Sequence, residues 1–309
     1  MKYKVFIDGK EGTTGLKIFE RLETRADLQV LKLKDELRKD VAARKEMINS
    51  ADVVFLCLPD AAAIEAVSLC ENQSVKIIDA STAHRTAMGW AYGFPELSVE
   101  HKKRIREGNR IAVPGCHASG FISLVYPLIA VGFVSQDYPF SCHSITGYSG
   151  GGKKMIAEYE TESRGREYDS PRRYALGQQH KHLPEMMKIC GLQFAPVFDP
   201  IVADYYNGMC VTIPLHTRLM DKKCTVLQLK EYYTKYYASH NFVKIDQDEP
   251  RFLAANPYAG TNEMHIIVSG NEERIILSSV FDNLGKGASG AAVQCMNIAL
   301  GMDECASLK

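Results

Sequence analysis

A cysteine follows Pro-Gly in "AVPGCHASG", residues 112–120, and two histidines one residue apart open "HKHLPE", residues 180–185. Cys116 stands where a short apolar run, 110–115, gives way to a helix expected from about Ser119. A thiol attacks carbon only as its thiolate, and a helix N-terminus stabilises that anion. The alternative is a structural cysteine capping a turn. A nucleophilic thiol also needs a base, and His180, His182 and Glu185 offer one. In an extended segment both imidazoles of His-x-His lie on one side. Glu185 can orient an imidazole or hold a substrate cation. A metal reading needs a third ligand at a definite spacing, and none is evident, so no metal is expected. His84, His101, His143, His216, His240 and His265 lack comparable context and read as surface or core residues.

A second constellation opens the chain. "DGKEGTTG", residues 8–15, carries Gly9, Gly12 and Gly15 with Thr13 and Thr14 between them. A strand precedes it and a helix follows. A dinucleotide pyrophosphate needs that arrangement: a tight turn, close backbone approach and free N–H groups at a helix start. The alternative is a glycine turn without a ligand. Lys32 and Lys34 stand near the end of the second strand, where NAD enzymes usually place an acid for the ribose diol. Two ammonium groups suit a 2′-phosphate instead, which favours NADP; the alternative is that both are solvated charges. Two further loops fit an anionic substrate. "DASTAHRT", 79–86, presents Ser81 and Arg85, and arginine pairs bidentately with carboxylate or phosphate. "GYSGGGKK", 147–154, reads as a flexible segment rich in N–H donors that includes Ser149 and Gly150, though glycine runs also serve as hinges.

The elements that must position these groups follow from periodicity. Apolar runs at 4–8, 28–33, 52–59, 75–81 and 110–115 alternate with amphipathic stretches. Continuous apolar strands separated by helices indicate a parallel sheet covered on both faces. Near residue 140 the strands lengthen and the crossover helices thin out, with one clear helix in "TVLQLKEYYTKYYASH". That change predicts a second domain with a mixed or antiparallel sheet. The chain closes on a small-residue helix over 286–301.

Composition narrows the class. The chain has 309 residues, 46% hydrophobic and 24% charged, with 37 basic and 37 acidic side chains. That balance gives no global charge for nucleic acid, and no run is long and apolar enough for a membrane span. The start "MKYKVFIDGK" turns polar too soon for a secretory signal. Nine dispersed cysteines without a CxxC pair read as reduced thiols of a cytoplasmic protein.

"DGKEGTTGL", "DASTAHR", "YGFPEL", "PGC", "GYSGGGK", "HKHLPE" and "KGASGAAVQCMN" occur in the order found in N-acetyl-gamma-glutamyl-phosphate reductases, and the chain resembles the shorter form of that family. The motifs run from residue 8 to 297. The resemblance implies an NADP-dependent enzyme of arginine biosynthesis that interconverts N-acetyl-γ-glutamyl phosphate, with release of inorganic phosphate, and N-acetylglutamate semialdehyde. It implies Cys116 as nucleophile, His182 rather than His180 as acid–base group, and Arg85, Ser149, Gly150, His180 and Glu185 around the substrate. Gly9, Gly12, Thr13, Thr14, Gly15, Lys32, Ser81, Lys286 and Gly287 are implied for the cofactor. The implied fold is α/β: a Rossmann-type doubly wound domain, 1–116, and an α+β catalytic domain with a mixed sheet, 117–285, in a homo-oligomer. The last helix, 286–309, would return to the first domain and line the cofactor cleft. The sequence departs from the family pattern at Val113, His117 and Cys295, where Asn, Tyr and Asn are expected. The nearest rival is another phosphorylating enzyme such as aspartate-semialdehyde dehydrogenase. A rival of another class is a silent nucleotide-binding regulator.

Overall fold

The computed structural model describes residues 2–308. The chain divides into two compact units, Met1–Gly115 with Ala288–Lys309, and Cys116–Gly287. The first begins β1 (Tyr3–Asp8), α1 (Thr13–Leu22), β2 (Leu28–Leu31), α2 (Val41–Ser50), β3 (Val53–Leu56) and α3 (Asp60–Ser68). It continues with β4 (Lys76–Asp79), β5 (Ala91–Tyr92), α4 (Val99–Glu107) and β6 (Arg110–Ala112). The sheet runs β2-β1-β3-β4-β6-β5, and every pair is parallel. All four residues of β3 are buried, as a central strand covered on both faces requires. On one face Phe6, Val54, Leu56 and Ile77 pack with Ile48 of α2 and Ala63 and Ala66 of α3. The chain steps from β1 outward to β2, then crosses back to β3 on the other side. Ligands of open parallel sheets sit at that reversal, outside the strands' carboxyl ends. β2 ends at Leu31, short of the expected residue 33, so Lys32 follows the strand directly.

The second unit opens with α5 (Cys116–Ala130), followed by β7 (Ser141–Gly147), α6 (Gly152–Glu160), β8 (Arg172–Arg173) and α7 (Leu183–Cys190). Then come β9 (Val197–Ala203), β10 (Met209–His216), α8 (Val226–Tyr237), β11 (Val243–Ile245), β12 (Met264–Gly270) and β13 (Arg274–Phe281). Its sheet runs β11-β12-β13-β10-β7-β9-β8. Two pairings, β11 with β12 and β7 with β9, are parallel and the rest antiparallel, so the sheet is mixed.

α5 begins at Cys116 itself, earlier than the expected Ser119, because residues 116–118 already take helical conformation directly after Pro114-Gly115. It lies tight on the sheet: a Cβ at Gly120 would overlap the Val211 side chain. Pro127 inside the helix has no N–H for the Ser123 carbonyl. The Tyr237 hydroxyl from α8 donates to that oxygen instead, at 2.7 Å, and Tyr233 donates to the Leu124 carbonyl. Residues 285–289 form a π-helical turn, and α9 (Gly290–Ala299) follows in the first unit, buried along its whole length. There Gln294 donates to Glu96 at 2.8 Å and Arg25 to Asn297 at 2.7 Å.

Candidate active site

Cys116 is the first residue of α5 and is half-buried, which places it at the helix N-terminus. The next residue, His117, stands in a cluster of imidazoles. His117 stands 5.5 Å from His180 and 5.6 Å from His182 between ring centroids, and His180 and His182 are 4.7 Å apart. Phe198 of β9 lies edge-on to His117 and His180 and closes the cluster. His182 is the N-cap of α7 and is buried; its N–H donates to His180 Nδ1 at 3.1 Å. Glu185 is buried in the first turn of α7. His117 Nδ1 meets Ser144 Oγ at 2.6 Å and its Nε2 meets the Tyr174 hydroxyl at 2.7 Å. Burial, with His180 and Lys181 close by, pushes the His117 imidazole down to about 3, so it is neutral at ordinary pH. Among the described residues no cluster of His, Cys, Asp and Glu could hold a metal ion.

One end of the second unit's sheet gathers the remaining polar groups. Gly287 presses on the cysteine: a Cβ there would stand 3.0 Å from the Cβ of Cys116. Its N–H donates to the Asp282 carbonyl at 3.0 Å. The next residue, Asn283, donates to Ser149 Oγ at 3.0 Å and accepts from the Gly208 N–H at 2.8 Å. Ser149 and Gly150 are not in a flexible loop. They form a helical turn, Tyr148–Gly151, that runs into α6. The N–H groups of Tyr148 and Ser149 go to the carbonyls of Tyr205 and Tyr206, both at 2.9 Å, which holds that turn down. Lys286 is buried in the π-helical turn, its ammonium 5.8 Å from the centre of the Phe242 ring.

The glycine loop lies in the first unit, at the reversal between β1 and β3. Gly9 has φ +84°, and a Cβ on it would strike the Cys57 carbonyl, so only glycine serves there. A Cβ at Gly15 would sit 2.9 Å from the Lys10 Cα, which keeps α1 close to the loop. Gly12 caps α1 with no side chain on the helix N–H groups, Thr14 lies in the open first turn, and Thr13 Oγ1 is buried with no hydrogen-bond partner. Those features fit a pyrophosphate at the helix start. Beside them is a cavity of about 450 Å³ lined by Gly9, Lys10, Lys32, Lys34, Arg38 and Lys39 among others. Asp8 faces the cavity, but Arg44 holds its carboxylate at 3.0 Å. Ser81 is buried and donates to Asp79 at 2.7 Å. Arg85 donates to the carbonyls of Val113 at 2.9 Å and Ala80 at 3.2 Å.

Comparison with known proteins decides the relationship. The family described as "Semialdehyde dehydrogenase, NAD binding domain" matches residues 4–105, and "Semialdehyde dehydrogenase, dimerisation domain" matches 116–283. N-acetyl-gamma-glutamyl-phosphate reductase 2 of Nostoc sp. is 42% identical, with 98% of each chain covered. The reductase of Burkholderia lata is 43% identical, again over 98% of each. This chain belongs to the N-acetyl-gamma-glutamyl-phosphate reductase family. It is therefore an oxidoreductase with an NAD(P)-binding domain. The solved aspartate semialdehyde dehydrogenase II of Vibrio cholerae shares the fold, with TM-score 0.72 at 15% identity over 97% of this chain and 99% of that one. The Candida albicans enzyme, solved with NADP, has TM-score 0.66 at 14% identity over 96% and 98%.

Set in that family, the second unit brings Gly287 against Cys116 and the following His117 against His180 and His182, and it links Ser149 to the Asp282–Asn283 turn through Asn283. Ser81, Arg85, Lys32 and the glycine loop are in the first unit. Cys295, where the family pattern predicts Asn, is fully buried and donates to the Gly93 carbonyl at 3.4 Å. Sequence reasoning missed Tyr174 and Ser144, because neither carries a local signal and only folding brings them to His117. It also missed Arg38 and Lys39, for which the charge run "LRKD" after Lys34 was the available signal.

Proposed function

We propose that the chain catalyses the NADP-dependent reductive dephosphorylation of N-acetyl-γ-glutamyl phosphate to N-acetylglutamate 5-semialdehyde, through a thioester on Cys116. The observation that carries this reading is a half-buried thiol at the first residue of a helix, beside an imidazole cluster. The reductase relatives support the substrate. The cationic cavity next to the glycine loop supports NADP, since Lys32, Lys34, Arg38 and Lys39 suit a 2′-phosphate. The bound dinucleotide supplies a hydride equivalent.

In the reductive direction the His182 imidazole takes the thiol proton and the Cys116 sulfur attacks the acyl carbon. The carbon–oxygen bond to phosphate breaks, and the imidazolium proton leaves with the phosphate. The thioester carbonyl is the group that hydride from a bound dinucleotide would reduce. Backbone N–H groups at the start of α5 hold the developing oxyanion. Its collapse expels the Cys116 thiolate and frees the aldehyde, and a solvent proton restores the thiol.

We assign the oligomer contact to the outer face of the mixed sheet. There Ile145, Val197 and Ile276 are exposed on β7, β9 and β13, within the segment that matches a dimerisation domain. Among the described residues, no helix is long and apolar enough to cross a membrane. The reading is tested by NADP reduction in the presence of phosphate, with N-acetylglutamate semialdehyde and aspartate semialdehyde compared. Strong preference for the first supports it. Preference for the second replaces it with the rival enzyme, and turnover of neither leaves the regulator.

A further inference from the structure

Asp8 ends β1 and lines the cavity beside the glycine loop, with Lys10, Lys32, Lys34, Arg38 and Lys39. A carboxylate in that wall repels any phosphate the cavity would hold. The chain answers it with one arginine. Arg44 of α2 is buried, and its Nε and Nη2 both donate to Asp8 Oδ2, at 3.1 and 3.0 Å. Its Nη1 donates to Glu65 Oε2 of α3 at 2.7 Å. One guanidinium therefore ties the carboxyl end of β1 to two helices. The two acids are unequal partners: Asp8 is as buried as Arg44, whereas Glu65 is half-exposed and screened by water. The Asp8 backbone is fixed as well. Its carbonyl accepts from the Cys57 N–H at 2.8 Å, and Gly9, at φ +84°, has no room for a Cβ against the Cys57 carbonyl. Loss of Arg44 would leave the Asp8 charge in place at the root of the loop.

We infer that Arg44 is a positioning residue of the dinucleotide site: its guanidinium cancels the Asp8 carboxylate at the root of the glycine loop, which lets the cavity accept an anion. The inference rests on the reading of this loop as the cofactor site. With the pair intact, the wall sets five cations against Glu11 and Asp35; without Arg44, Asp8 joins those two acids. Asp8 adjoins Gly9, where the pyrophosphate common to NADP and NAD approaches, so Arg44 acts on both dinucleotides alike. That separates it from Lys32, Lys34, Arg38 and Lys39, whose effect falls on the 2′-phosphate. Arginine suits the position because its guanidinium stays charged and puts two N–H groups on Asp8 while a third serves Glu65.

The test breaks the pair from each side in the full chain and reads the Kd of NADPH and NADH from their fluorescence. Arg44→Met leaves an uncompensated carboxylate, and Asp8→Asn leaves an uncompensated guanidinium. Both remove the same ion pair, so a role confined to holding the fold together gives both variants the same sign. Arg44→Met should weaken both dinucleotides by about tenfold, and Asp8→Asn should tighten both by about threefold. The double variant should return to within about threefold of the unaltered chain. Burial already raises the Asp8 carboxyl above the ordinary carboxylate range, and removal of Arg44 raises it further, so the titrations are run at about pH 8.5 to keep it ionised. Weakening by both single variants, or a folded Arg44→Met chain that binds as the unaltered chain does, overturns the inference. If Arg44→Met does not fold, Asp8→Asn decides, and weaker binding by that chain is equally fatal. An unaltered chain that binds neither dinucleotide rejects the cofactor reading itself, whereas binding that fails the sign test rejects only the role of Arg44.

Discussion

Reversing single charges in the first unit's cavity should change which dinucleotide the chain prefers. Lys10, Lys32, Lys34, Arg38 and Lys39 face Glu11 and Asp35 there, while Asp8 is neutralised by Arg44. Lys10 and Lys32 both stand over the Phe19 ring, 3.5 Å and 5.8 Å from its centre, so the more distant Lys32 joins Lys34, Arg38 and Lys39 for a 2′-phosphate. These side chains are exposed, so water and salt screen them, and each contributes about 1 kcal/mol to a phosphate dianion, or about fivefold in Kd. Charge reversal loses the attraction and adds a repulsion, which makes roughly 25-fold. Lys32→Glu and Arg38→Glu should each weaken NADP by that factor and leave NAD within about twofold. Titration of cofactor fluorescence at two ionic strengths is the assay, and the NADP penalty should shrink at high salt. Equal weakening of NADP and NAD, or no change in either, refutes the assignment of the cavity to the 2′-phosphate.

Three other substitutions probe the fold around the thiol. His117 is held near 3 in the folded chain against an ordinary 6.5, so as pH falls from 6.5 toward 3 only the unfolded chain takes up this proton. Its contribution to stability is complete above 6.5 and is lost on acidification by up to about 1.4 kcal/mol per pH unit; His117→Phe should flatten urea-unfolding stability in that window by the same amount. Gly287→Ala puts a methyl 3.0 Å from the Cys116 Cβ, and a displaced sulfur should cost about tenfold or more in kcat and slow alkylation, whereas wild-type rates would contradict the close approach. Tyr237→Phe leaves the buried Ser123 carbonyl without its donor and should cost about 1–3 kcal/mol by urea unfolding; an unchanged midpoint would show that water replaces the phenol.

What could be read from the sequence was what local chemistry dictates. The β1–α1 glycine loop was legible because a φ of +84° and a backbone collision at Gly9 demand glycine at a fixed place after a strand. The parallel sheet was legible because crossover helices and strands buried on both faces leave continuous apolar runs. The start of α5 was misjudged by a turn, since "HASG" carries no strong helix signal and its first turn is secured by tertiary contacts of His117. The 147–154 segment looked flexible from its glycines, but the Tyr205 and Tyr206 carbonyls bind it down. Those partners, like Tyr174 and Ser144, come from distant stretches and leave no spacing to read.

The most direct test is a single turnover run in the oxidative direction without phosphate. N-acetylglutamate semialdehyde and NADP should give a burst of about one NADPH per chain and then stop, with an N-acetylglutamyl adduct on the Cys116 peptide by mass spectrometry. Adding phosphate should release the adduct and restart turnover. Absence of a burst, or an adduct on any other cysteine, would contradict a thioester on Cys116.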